Sequence, residues 1–215
     1  MQYSVIGTAN QAVVTQMHNG DEVRAEAAAM LLLSDGILVE SPAHHTPYAL
    51  AAAGAHVRLT HFRCTASVGV ITFAARCVGE ARQLEVREGT WLCARDAFLF
   101  CSQNVVATVG MAFAVTGGGF GIEGCVLYRL AGRGEAYVHC GGGAIEYDLV
   151  PGQRVSVDAC CVVAFQDTVQ AAMESVGGLT SSRGEPETLL LMTLTGPGKI
   201  FMAVLPSGRI RTVSM

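Results

Sequence analysis

Apolar and polar residues alternate in short runs along the whole chain, and turn residues break the runs. Leu84 and Val86 alternate with Glu85 and Arg87, and Val155 and Val157 alternate with Ser156 and Asp158. Successive side chains of a strand point to opposite faces, so this period of two predicts half-buried strands. Phe201, Ala203 and Leu205 are interleaved with Met202 and Val204, the pattern of a strand covered on both faces. Helical periodicity is scarce. Its best candidate, residues 22–33, is rich in alanine, a helix former. Turn signals at Asn19-Gly20-Asp21 and Ser34-Asp35-Gly36 bound that run, and Val23 and Ala25 alternate with Arg24 and Glu26. We read it as β. The pattern as a whole predicts an all-β protein.

A repeat runs through the pattern. Counted from Gly20 and from Gly152, apolar residues fall at +3, +5, +9 to +13 and +17, with Asp at +15. Counted from Gly89 the same offsets hold, with Ser102 as a polar exception and Asn104 as the turn residue. Each unit reads as a turn, an alternating strand, a short break, a buried strand and a second turn. A unit of this size buries only about 60% of its surface alone. Three units sharing a core in a pseudo-threefold body are therefore expected: one compact domain over 1–215, with repeats of roughly 1–70, 71–135 and 136–215.

Composition narrows the function classes. Hydrophobic residues make up 51% of the 215 and charged residues 15%, far from a disordered composition. The net charge is −4, and Lys199 is the sole lysine. The basic footprint that nucleic acid demands is missing, so no nucleic-acid partner is expected. The eight cysteines form no Cys-x-x-Cys pair and sit mostly within apolar runs. They read as small buried hydrophobes in a reducing compartment. Cys160 and Cys161 would face opposite sides of a strand. The longest weakly polar stretch, 105–120, is broken by Thr and by Gly117-Gly118-Gly119, short of the roughly 18 apolar residues of a membrane helix. No secretory signal or presequence is read at the start, and a cytoplasmic location is expected.

Several segments in order resemble the altered-inheritance-of-mitochondria family of β proteins. Gly20-Asp21-Glu22-Val23-Arg24-Ala25-Glu26 with Ala29-Met30 looks like that family's Gly-Glu-x-Val-x-Ala-Glu-x-Gly-Ala-Met stretch. Ala97-Phe98-Leu99, Gly121-Ile122-Glu123-Gly124, residues 130–138, Val157-Asp158 and Val163-Ala164-Phe165 resemble further motifs, and Leu194 to Phe201 is the strongest match. Cys160 and Cys161 depart from the family, which often has Gly-His there. The resemblance implies a double-stranded β-helix-like body with threefold pseudo-symmetry, similar in fold to the tryptophan RNA-binding attenuator protein. It implies no enzymatic activity, and it would admit a mitochondrial location.

Candidate chemistry is thin. Among His18, His44, His45, His56, His61 and His139 there is no His-x-His of the cupin type. A metal site would draw on His44, His45, His56 and His61, in 42–64, with His139 and Glu123 as further candidates. A Gly-x-Ser-x-Gly elbow is absent. Cys161 near Asp158 lies in a core-like setting, where a nucleophile would need a thiolate-stabilising neighbour. Gly117 to Gly121 and Gly141-Gly142-Gly143 lack the Lys-Ser/Thr and helix that a phosphate loop requires. Gly20, Gly89, Gly152 and the Gly196-Pro197-Gly198 turn read as structural. The expectation is a non-enzymatic β scaffold without cofactor that assembles with itself or with protein partners. A metal- or small-ligand-binding barrel is the first alternative and an RNA-binding ring the second. No membrane span is expected, and peripheral membrane association is left open.

Overall fold

The computed structural model describes residues 1–41, 53–115, 123–180 and 186–206. An opening strand, Gln2–Ile6 (β1), precedes three passes of one strand order. The first pass is Ala12–His18 (β2), Glu22–Ala25 (β3), Met30–Leu33 (β4), Ile37–Glu40 (β5), Thr60–Cys64 (β6) and Val68–Ala74 (β7). The second is Gly79–Glu85 (β8), Trp91–Ala94 (β9), Phe98–Ser102 (β10), Val105–Val115 (β11), Glu123–Gly132 (β12) and Glu135–Gly141 (β13). The third is Ala144–Leu149 (β14), Arg154–Asp158 (β15), Val162–Gln166 (β16), Gln170–Thr180 (β17), Pro186–Thr195 (β18) and Gly198–Ala203 (β19).

Pairing is the same in each pass. One three-stranded sheet sets the sixth strand between the first and third: β2-β7-β4, β8-β13-β10 and β14-β19-β16. The other sets the fifth strand beside the second and fourth: β5-β6-β3, β11-β12-β9 and β17-β18-β15. Each pass is thus a small antiparallel sandwich covering 12–74, 79–141 or 144–203. A single 3-10 turn, at Ala27–Ala29, Arg95–Ala97 and Ala159–Cys161, joins the second strand to the third. A register shift then falls at Met30/Leu32, Phe98/Phe100 and Val162/Ala164. The shift bends the strand at one place in all three units.

Two expectations change in detail. The amides of Asp21, Gly89 and Gln153 donate to His18 O, Val86 O and Val150 O in equivalent turns. Gly89 therefore coincides with Asp21 and Gln153, one residue past the place shared by Gly20 and Gly152. Its φ of 157° also differs from their 88° and 78°. Cys160 and Cys161 lie on a 3-10 turn rather than a strand, and Asp158 Oδ1 accepts from Cys160 N at 3.0 Å.

Neighbouring sandwiches share sheets. Pairing of β3 with β10, and of β9 with β16, fuses half-sheets into two six-stranded sheets, β5-β6-β3-β10-β13-β8 and β11-β12-β9-β16-β19-β14. The outer sheets are β1-β2-β7-β4 and β15-β18-β17. Three cores lie between successive sheets. In the first, Phe73 of an outer sheet stacks on Phe100 at 4.4 Å and meets Phe62 edge to face at 5.7 Å. In the middle, Phe98 meets Tyr128 at 5.8 Å. In the third, Phe165 and Ile200 pack with Met192 and Leu194. The central strands of the shared sheets are apolar on both faces, which is why Phe98, Leu99, Phe100 and Cys101 run without alternation.

Candidate functional site

The described histidines do not converge. His44 and His45 lie outside the described residues, as does the side chain of Glu123. His56 forms an isolated bridge with Thr108. His61, on β6, places Nδ1 3.0 Å from Glu22 Oε1. His139, on β13, is buried with Nδ1 3.7 Å from Cys77 Sγ, and burial lowers its pKa. Among the described residues no group of three or more His, Cys, Asp or Glu could hold a metal ion.

Glu22 is a heavily engaged carboxylate. It is 7% exposed. Arg24 Nε donates to it at 3.0 Å and Arg63 Nη2 at 3.2 Å. Burial alone would raise its pKa, but the two guanidinium hydrogen bonds and His61 outweigh that and hold it below the usual value. A carboxylate so surrounded by donors is a poor base and a good cross-strand tie.

Four of the eight thiols are chemically quiet. Burial pushes Cys101 and Cys140 up to about 12 and Cys125 up to about 11, and raises Cys93 further. Attack needs the thiolate, which these settings suppress. The Gly141-Gly142-Gly143 loop spends its amides on the chain itself. Gly142 N donates to Val78 O at 2.9 Å and Gly143 N to Cys140 O at 3.3 Å. Gly117 to Gly121 lie outside the described residues. Gly196-Pro197-Gly198 links β18 to β19, and a Cβ on Gly196 would stand 2.5 Å from Val150 O.

What stands out is an edge. β4 pairs only β7, and β15 pairs only β18, among the described residues. Their counterparts in the other units are interior strands of six-stranded sheets. The exposures follow. Leu31 and Leu32 of β4 are 65% and 53% exposed, against 2% and 0% for Leu99 and Phe100 and 3% and 0% for Val163 and Ala164. An apolar groove of about 490 Å³ runs beside β15, lined by Tyr147, Val155, Val157, Ile200 and Met202. Sequence reasoning placed these residues on strands without marking them as a surface. Residues 30–33 are as apolar as the buried Phe98 to Cys101, and only the missing neighbour separates the two.

A family model described as mitochondrial biogenesis AIM24 matches residues 3–204. No curated protein matches the chain. A crystal structure of a Streptococcus pyogenes protein is similar in fold, with a TM-score of 0.75 and 15% identity over 95% of this chain and 94% of that one. No described helix is long and apolar enough to cross a membrane.

Proposed function

The chain belongs to the mitochondrial biogenesis AIM24 family, and on that premise we propose that it is a non-enzymatic β scaffold acting through protein association at its open strand edges. The observation that carries this is the exposed apolar pair Leu31 and Leu32, on a strand whose two counterparts are buried in shared sheets. Exposed strand edges with apolar side chains are templates for another chain. The quiet thiols and the donor-saturated Glu22 support a structural role for the polar groups. Three copies of one sandwich in a row give such a scaffold length and a defined polarity, from the β4 end to the β15 end.

Size-exclusion chromatography with light scattering, together with recovery of bound proteins on an immobilised chain, tests the reading. The expected result is a mass above that of one chain or a stoichiometric protein partner. A strict monomer that retains no partner overturns it.

A further inference from the structure

The two joints between sandwiches are made alike. In the first, Phe100, Cys101 and Ser102 of β10 stand opposite Ala25, Arg24 and Val23 of β3, and Gln103 N donates to Glu22 O at 3.1 Å. In the second, Ala164, Phe165 and Gln166 of β16 stand opposite Cys93, Leu92 and Trp91 of β9, and Asp167 N donates to Thr90 O at 3.0 Å. The repeated 3-10 turn and register shift identify the equivalent residues elsewhere. On β4 they are Leu32, Leu33 and Ser34, and on β15 they are Val157, Ser156 and Val155.

Resting on the scaffold reading, we propose that β15 of one copy pairs antiparallel with β4 of a second copy in this same register. Leu32 then faces Val157, Leu33 faces Ser156, and Ser34 faces Val155. The sheets β17-β18-β15 and β4-β7-β2-β1 become one continuous seven-stranded sheet, split between two chains, in which β1 is an added edge strand. One step further along the register, Asp35 meets Arg154, both exposed and of opposite charge. Its amide takes the place that Gln103 N and Asp167 N hold in the joints already made. The pairing covers Leu31 and Leu32 and brings new side chains to the groove beside β15. A second copy is favoured over an unrelated partner because the chain already contains two worked examples of the contact. The interface is head-to-tail, so it propagates into a ring or a filament.

Leu32 and Val157 occupy a non-hydrogen-bonded pair, the closer of the two antiparallel types and within disulfide reach. Oxidation of the double variant Leu32→Cys, Val157→Cys is expected to give a ladder of chain multiples. Each single variant and the native chain serve as background for the eight native cysteines. A mixture of the two single variants is expected to give one crosslinked dimer. A crosslink confined within one chain, or no crosslink beyond background, overturns the proposal. Charge reversal provides a second readout on exposed residues. Asp35→Arg and Arg154→Asp are each expected to weaken association on the order of fivefold in sedimentation velocity, and the double reversal to restore it. If the chain associates or binds protein partners but neither crosslink nor charge reversal responds, this joint is wrong while the scaffold reading stands.

Discussion

Glu22 shows how a single residue ties strands together and what acid does to the tie. Its pKa is held below the ordinary carboxylate value. Its contribution is therefore complete above the unfolded value, about 4.3, and is lost as pH falls through the lower folded value. Glu22→Gln is expected to cost about 1–2 kcal/mol at neutral pH. Urea unfolding should show that deficit at pH 7 and its progressive loss as the pH falls below the ordinary carboxylate range. Position decides more than residue type elsewhere. Phe100 and Leu32 are structural equivalents, yet one is fully buried and the other 53% exposed. Phe100→Ala is expected to cost about 3–5 kcal/mol, whereas Leu32→Ala in dilute protein should stay within about 0.5 kcal/mol. Thr15 is a different case. Its buried Oγ1 has no hydrogen-bond partner among the described residues. Thr15→Val keeps the shape and removes the orphaned hydroxyl, so a gain of up to about 1 kcal/mol is expected in thermal unfolding.

At the scale of elements, alternation placed Val155 and Val157 on β15 and Leu84 on β8, as their period of two implied. It ran past the strand ends elsewhere: Val86 and Arg87 fall on a 3-10 turn, and Val204 and Leu205 lie beyond β19 and are exposed rather than covered. The pattern weakened at the 3-10 turns. Three residues are too few for a period, so Ala27–Ala29 and Ala159–Cys161 merged with the flanking strands in the pattern. It also slipped at Gly89, because glycine serves two adjacent places in the equivalent turns and the residue type does not say which. The difference can be measured at Gly20. Its φ of 88° lies in the left-handed region, and a Cβ there meets nothing within 4 Å. Gly20→Ala should therefore cost about 1 kcal/mol from the backbone alone, and Gly20→Asn less. The described candidates His56, His61 and His139 lie apart, because spacing along the chain carries no information about which strands of different sandwiches lie near one another. The open edges were illegible for a related reason. β4 and β10 carry similar apolar runs, and exposure depends on a partner strand far away in sequence.

At the scale of the molecule, the three passes make a polar row of sandwiches with the shared sheets inside and the half-sheets at the ends. The family match and the similar streptococcal fold extend over almost the whole chain, so the row as a unit, rather than one sandwich, is what relatives share. Sheet sharing has a dynamic consequence. A central strand of a six-stranded sheet cannot open without disturbing two cores, whereas a strand of an outer sheet disturbs one. Local opening should therefore begin at the ends and reach the middle last, as in arrays governed by nearest-neighbour coupling. Amide hydrogen exchange is expected to be slowest in β9, β10, β13 and β16 and faster in β1 and β17. If copies join end to end, the amides of β4 and β15 alone should slow as the protein is concentrated, so that protection from solvent becomes a record of how many ends remain unmatched.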